Sequence, residues 1–142
     1  MTRVKICGLT RVEDAQAAIA LGVDALGLVF FDKSPRCVSI EQAQAIAAVV
    51  PAFTQTVGLF VNASESEVHH VLRHVPLDVL QFHGDETPEF CRVFQRPYIK
   101  AVRVASAQDI EAAANEFFDA RALLFDAHVD GVYGGTGQAF DW

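Results

Sequence analysis

Apolar positions along this chain gather into short runs near residues 3–7, 25–31, 56–61, 78–83, 98–104 and 122–126, rich in Val, Ile, Leu and Phe. Runs of that length and composition predict six strands. The stretches between them mix apolar and polar residues at helical spacing and predict helices at about 11–22, 39–50, 64–75, 87–95 and 107–118. Three of these helices carry start signals, Ser39 with Gln42, Ser64 with Glu67 and Ser106 with Asp109, in which a hydroxyl and a side chain three residues on can satisfy each other's free backbone N–H groups. Gly22 is placed to end the first helix in a left-handed conformation. Strict alternation of strand and helix with short joins argues for a parallel sheet, either doubly wound or closed as a barrel. No repeat, linker or low-complexity tract divides the chain, and a single domain of 142 residues buries roughly 68% of its unfolded surface without staples.

The faces of the strands separate the two architectures, because successive side chains point to opposite sides. Lys5 and Cys7 share one face of the first strand, with Val4 and Ile6 on the other. Gln81 and His83 lie opposite Leu80 and Phe82, and Asp126 lies with Leu124, opposite Leu123 and Phe125. A doubly wound sheet is buried on both faces and shows less alternation. In a (βα)8 barrel the outer face packs under helices and the inner face presents reactive groups at the C-terminal strand ends. The pattern favours the barrel, with Lys5, Cys7, Gln81, His83 and Asp126 around one mouth.

Charge and cysteine usage narrow the partners. Eleven Lys and Arg against eighteen Asp and Glu give a formal net charge of −7, which opposes sequence-independent attraction to nucleic acid or to an anionic membrane surface. A phosphorylated ligand must therefore meet locally placed groups. The long uncharged stretch 42–64 is interrupted by Gln44, Pro51, Thr54, Gln55 and Asn62, and reads as helix, turn and strand instead of a membrane span. Arg3, Lys5, Arg11, Glu13 and Asp14 break any apolar signal core in the first twenty residues. Cys7, Cys37 and Cys91 are odd in number, widely spaced and without a C-x-x-C pair, which points to reduced thiols in the cytoplasm and not to a disulfide framework or a zinc site.

Several residues have chemistry to offer, each with a plainer alternative. Cys7 is a general-base candidate if a nearby cation such as Lys5, or a helix N-terminus, sustains its thiolate; it also reads as a small buried hydrophobe, as Cys37 and Cys91 do. Asp126 is a general-acid candidate or a loop carboxylate. Ser34-Pro35-Arg36 puts a guanidinium on a rigid turn at the same end of the sheet, suited to a carboxylate or a phosphate, or simply solvated. Gln81 and His83 are expected on the substrate-binding wall, His83 otherwise being a satisfied core histidine. Gly131, Gly134, Gly135 and Gly137 suggest a lid or an anion nest, but match neither common nucleotide-binding pattern. His70 and His74, four apart on a helix, lack a third ligand and read as a solvated face.

Five segments, taken in order, carry a family resemblance: Lys5-Ile6-Cys7-Gly8-Leu9-Thr10, Ser34-Pro35-Arg36, Val57-Gly58-Leu59-Phe60-Val61-Asn62, Leu80-Gln81-Phe82-His83-Gly84-Asp85-Glu86 and Gly134-Gly135-Thr136-Gly137-Gln138-Ala139-Phe140-Asp141-Trp142. Together they resemble the phosphoribosylanthranilate isomerases of tryptophan biosynthesis. The resemblance covers essentially the whole chain. It implies a (βα)8 TIM barrel that, without a cofactor, converts N-(5′-phosphoribosyl)anthranilate to 1-(2-carboxyphenylamino)-1-deoxyribulose 5-phosphate by an Amadori rearrangement. It also implies Cys7 as general base, Asp126 as general acid and Arg36 as the group that holds the anthranilate carboxylate.

A complete barrel needs eight strands and six are expected here, so the expected molecule is one truncated (βα) barrel over residues 1–142, lacking the last two βα units. The loops after the seventh and eighth strands commonly hold phosphate in such barrels, and activity is accordingly expected to be weak or absent. A non-catalytic folding subdomain or association module is the alternative. The segment from Ala127 to Trp142 is expected to cover the opened edges of a monomer with Phe140 and Trp142, an edge-paired homodimer being the alternative.

Overall fold

The computed structural model describes residues 1–127. Strands β1 (Lys5–Cys7), β2 (Ala25–Val29), β3 (Gln55–Phe60), β4 (Val79–Phe82), β5 (Tyr98–Val104) and β6 (Ala122–Ala127) alternate with helices α1 (Val12–Ala20), α2 (Ile40–Ala47), α3 (Glu65–His74), α4 (Pro88–Val93) and α5 (Ala107–Glu116). The expected elements are all present, most of them shorter at their ends.

The helix starts follow the side chains that the sequence marks. The Ser39 hydroxyl accepts from the Gln42 N–H while Gln42 Oε1 accepts from the Ser39 N–H, and Ser64 and Glu67 repeat the exchange at α3. At α5 the Asp109 carboxylate carries most of the cap, accepting from the N–H groups of Ala105 and Ser106 and from the Ser106 hydroxyl. Thr87 caps α4 through the Phe90 N–H, with Pro88 in the first turn. Gly22 ends α1 at φ +81°, its N–H reaching the Ile19 carbonyl, a conformation that costs glycine little.

All six strands are parallel and lie in the order β1-β2-β3-β4-β5-β6. A doubly wound sheet reverses its order at a switch point; this one advances in a single direction and bends into an arc of a barrel. The two faces have different cores. On the outer face Leu26, Leu28, Phe60, Leu80 and Phe82 pack against Ala15, Ala43, Ile46, Val68, Val71, Cys91 and Phe94. The Phe82 ring stands at the centre of an aromatic group, with the rings of Phe60, Phe90, Phe94 and Tyr98 at centroid distances between 5.7 and 6.3 Å, a geometry that adds to the area they bury. On the inner face a smaller cluster, Ala25, Val57 and Val79 with Ile99, fills the narrowing space of the concave side.

Register carries that inner face to the rest of the sheet. Lys5 pairs with Ala25 and Cys7 with Gly27, Gln81 pairs with Ile99, and Ile99 pairs with Ala122, which puts Leu124 and Asp126 on the same side. Among the described residues, β1 and β6 each have a strand on one side only. Val4 and Ile6, on the helix-facing side at β1, are 46% and 40% exposed. The cover expected from Phe140 and Trp142, and the glycine-rich Gly131–Gly137 loop, lie outside the described residues. No helix among the described residues is long and apolar enough to cross a membrane.

Candidate active site

Cys7 closes β1, and two glycines make its surroundings possible. Gly27, its register partner on β2, has no side chain because a Cβ there would come within 2.7 Å of the Cys7 Sγ. The thiol fills that space on the inner face. Gly8 follows at φ +84°, and its N–H and that of Leu9 both donate to the Gly27 carbonyl at 2.9 and 3.2 Å. A Cβ on Gly8 would sit 2.6 Å from the Nη1 of Arg36.

That guanidinium donates to the Cys7 carbonyl at 3.0 Å. Arg36 is brought there by a tight turn in which its own N–H meets the Ser34 hydroxyl and the Cys37 N–H meets the Ser34 carbonyl. The chain then rejoins the sheet, Val38 N–H donating to the Val29 carbonyl. The exposed Arg36 side chain thus lies across the end of β1, its charge beside the residue that carries the thiol.

On the other side of the mouth three side chains form a line. Gln81 Nε2 is 3.0 Å from His83 Nδ1, and His83 Nε2 is 3.3 Å from Asp126 Oδ2. Strands two apart in a flat sheet are separated by roughly 9.5 Å, so the inward curvature helps bring His83, at the end of β4, onto Asp126 of β6. Burial pushes the His83 pKa below its ordinary 6.5, outweighing the Asp126 carboxylate, which raises it. The imidazole is therefore neutral near pH 7 and offers one N–H and one bare nitrogen.

A second layer fixes the loops beneath this line. The buried Glu86 carboxylate accepts from the N–H groups of Asn62 and Gly84 at 2.7 and 2.8 Å and pairs with the buried Lys100 ammonium at 3.3 Å. Lys100 also donates to the Gly84 carbonyl at 2.6 Å. Asn62, at φ +50°, accepts from the Asp85 N–H. The loops after β3 and β4 are thereby one unit, anchored next to His83. Arg103 stands beside Asp126 in register and pairs with Asp85 at 3.2 Å.

Lys5, Cys7, Arg36, Gln81, His83 and Asp126 all sit at the inner face or the C-terminal rim. Lys100, Glu86 and Arg103 were not among the expected site residues. A lysine inside Tyr98-Ile99-Lys100-Ala101-Val102, on the helix-facing parity of Tyr98, could have signalled a buried ion pair, and Arg103 has the inward parity of Ile99. The remaining thiols differ from Cys7. Cys91 is fully buried among core side chains and burial pushes its pKa up to about 12, while Cys37 Sγ lies 4.0 Å from the Val38 carbonyl. The His70 and His74 rings lie 4.5 Å apart with their planes tilted by 46°, and a hydrogen bond joins His74 Nδ1 and the His70 carbonyl. Among the described residues no three His, Cys, Asp or Glu side chains gather as metal ligands. A groove of about 820 Å³ between the starts of α2 and α3 takes in Phe30, Asp32, Cys37, Asn62 and His70 but none of the residues at the mouth.

A thiol, a carboxylate and a guanidinium thus stand at one end of a parallel barrel sheet, and comparisons with known proteins give the chain its relatives. The family model of N-(5′-phosphoribosyl)anthranilate (PRA) isomerase matches residues 4–142. The N-(5′-phosphoribosyl)anthranilate isomerase of Pseudomonas fluorescens is 61% identical over 140 residues, which is 99% of this chain and 67% of that protein. The enzyme of the same name from Azotobacter vinelandii is 58% identical over 99% of this chain and 68% of its own. The crystal structure of phosphoribosyl anthranilate isomerase from Thermotoga maritima matches with a TM-score of 0.88 at 40% identity, over 100% of this chain and 69% of that one. A phosphoribosyl anthranilate isomerase in complex with reduced 1-(o-carboxyphenylamino)-1-deoxyribulose 5-phosphate matches at 0.83 and 40% identity, over 90% of this chain and 66% of the other. Relatives this similar along nearly the whole chain, on a barrel sheet of the same build, leave one conclusion: the chain belongs to the N-(5′-phosphoribosyl)anthranilate isomerase family.

Proposed function

We propose that this domain holds the acid–base centre of a phosphoribosylanthranilate isomerase, with Cys7 as general base, Asp126 as general acid and Arg36 as the clamp on the anthranilate carboxylate. The observation that carries this reading is the placement of a thiol and a carboxylate on the inner face at the C-terminal ends of β1 and β6. Asp126 protonates the ring oxygen of N-(5′-phosphoribosyl)anthranilate as the C1–O bond breaks, and the nitrogen lone pair forms the Schiff base. Cys7 then removes the proton from C2, giving an enolamine. Protonation of the enolamine at C1 and loss of the hydroxyl proton at C2 give the ketone, with no change in atoms between substrate and product. His83 and Gln81 line the wall beside Asp126, and His83 stays neutral beside the substrate.

The clamp is open to test. Removing a charge-assisted hydrogen bond of about 1.5–3 kcal/mol corresponds to roughly 10- to 150-fold in binding. Arg36→Met, in a protein formed by joining this chain to the final third of the P. fluorescens relative, should raise KM by about that factor and leave kcat much less affected. Parent-like affinity for substrate and product in that variant would end the assignment.

The 142 residues taken alone should show weak turnover or none. Phosphate in such barrels commonly rests on loops after strands seven and eight, and an acid and a base gain little when the reacting carbon is not held. The other reading, a non-catalytic folding subdomain or association module, draws on the exposed Val4 and Ile6 and on the edges that β1 and β6 present among the described residues. An isomerase assay of the 142 residues beside the joined protein separates the two: turnover restored by joining supports the isomerase, and a well-folded joined protein without turnover supports the module. A single-domain monomer in a reducing cytoplasm completes the proposal; the three cysteines are free thiols.

A further inference from the structure

A cavity of about 490 Å³ opens at the end of the sheet away from the mouth, where the chain enters β5 and β6. Three guanidiniums, Arg92, Arg96 and Arg121, lie on its wall with one carboxylate, Asp119. Three of the eleven basic residues of a chain of net charge −7 thus share one cavity. We propose that it is a binding site for a small phosphate-type anion, held between Arg96 and Arg121. The site shares no residue with the mouth, and the proposal does not depend on the isomerase reading.

Asp119 and Arg92 satisfy each other. Arg92 Nε and Nη2 donate to the two Asp119 oxygens at 2.7 and 3.2 Å, and the Tyr98 hydroxyl donates to Oδ1 at 2.6 Å. The bonds from Arg92 and then Tyr98 hold the Asp119 pKa at about 2, so the carboxylate is ionised and its charge is matched by Arg92. Arg92 also has Glu89 at 3.9 Å and the Phe118 ring 5.3 Å from its guanidinium carbon. Arg96 and Arg121 have no such counterparts: both are exposed, and among the described residues neither side chain has a hydrogen bond or an ion pair. Every other arginine except Arg73 has one, Arg3 with Asp24, Arg11 with Glu13, Arg36 with the Cys7 carbonyl and Arg103 with Asp85. Two of the three unpartnered arginines therefore face one cavity. Like charges on one wall repel, and an anion between them relieves that repulsion.

The backbone ties the two loops that carry these residues. Gln95, at φ +50°, turns the chain out of α4, and Arg96 follows it with Pro97 next in line. The Arg121 N–H donates to the Tyr98 carbonyl at 2.8 Å, which joins the start of β6 to the start of β5. The number of acceptors needed names the ligand. One carboxylate is filled by one guanidinium fork, as Asp119 is by Arg92. A ligand that meets two forks needs more oxygens, and a phosphate, with at least three free oxygens and a charge near −2, supplies them.

Titration of the ¹⁵N-labelled 142-residue chain with sodium phosphate tests the site, with ionic strength held constant by sodium chloride so that screening does not change. The Nε–H signals of Arg96 and Arg121, assigned by their loss in Arg96→Ala and Arg121→Ala, should move along one saturable curve. In each alanine variant the signal of the remaining arginine should report binding weakened roughly 10-fold or more, the worth of a charge-assisted hydrogen bond. Arg121→Glu should abolish the response at Arg96. Sodium acetate, which one fork satisfies, should bind far more weakly than phosphate. Ribose 5-phosphate separates the sources of the anion: binding as tight as that of phosphate or tighter assigns the site to a phosphomonoester, and weaker binding assigns it to the free ion, the shared chemistry being supported in both cases. Shifts that stay linear in phosphate without saturating, an equal curve with acetate, or affinity unchanged in both alanine variants would overturn the proposal.

Discussion

Replacing Cys7 or Asp126 by alanine, in the chain joined to the final third of the P. fluorescens relative, is expected to lower kcat by about 10²–10⁴-fold in each case, the usual worth of a general acid or base. The two losses have different origins. In the proposed mechanism Asp126→Ala removes the proton needed at the ring oxygen, and Cys7→Ala removes the acceptor for the C2 proton. KM should change far less than kcat, because neither group holds the substrate's two anionic ends. Cys37→Ala is the matched control, since Cys37 lies in the groove between α2 and α3 and not at the mouth. Steady-state assays of the three variants check this. Unchanged kcat in Cys7→Ala or Asp126→Ala would remove that residue from the mechanism.

The largest effect on stability is expected at Glu86. Its side chain and that of Lys100 are 3% and 6% exposed, and breaking such a pair from one side leaves a charge buried without its counterion, at about 3–5 kcal/mol. Glu86→Gln should therefore unfold at a markedly lower urea concentration with the slope of the transition unchanged. Combining it with Lys100→Met should recover part of the loss, since both charges then leave the interior. The damage should extend to the mouth, because Glu86 holds the Asn62 and Gly84 N–H groups and so the loop that carries His83. A Glu86→Gln protein within about 1 kcal/mol of the parent, well below the range for buried pairs, would contradict this account.

Local rules reach the site only part of the way. Strand parity is a two-residue period, so Lys5 with Cys7, Gln81 with His83 and Asp126 with Leu124 could be placed on one face from the sequence, and the register agrees. The serine caps of α2 and α3 are equally local, each closing over three residues. What the sequence could not supply depends on curvature and on contacts between distant loops. His83 meets Asp126 across 43 residues, Arg36 reaches the Cys7 carbonyl across 29, and Glu86 meets Lys100 across 14. No periodicity encodes these pairs. Gly27 is a similar case: it reads as an ordinary gap in an apolar strand, and only the neighbouring thiol gives its missing side chain a reason. Helix ends were overdrawn for a related cause. Residues 48–50 are apolar and continue the α2 pattern, but the chain there is already turning toward Pro51, whose ring restricts the residue before it.

Growth of a tryptophan auxotroph lacking phosphoribosylanthranilate isomerase tests the central claim, that Cys7 and Asp126 form the acid–base centre of an isomerase in this domain. The joined protein should restore growth without tryptophan, its Cys7→Ala and Asp126→Ala variants should not, and the 142 residues alone should support little growth or none. Full growth with both Cys7 and Asp126 replaced, or no growth from a joined protein that is folded and abundant, would contradict the claim.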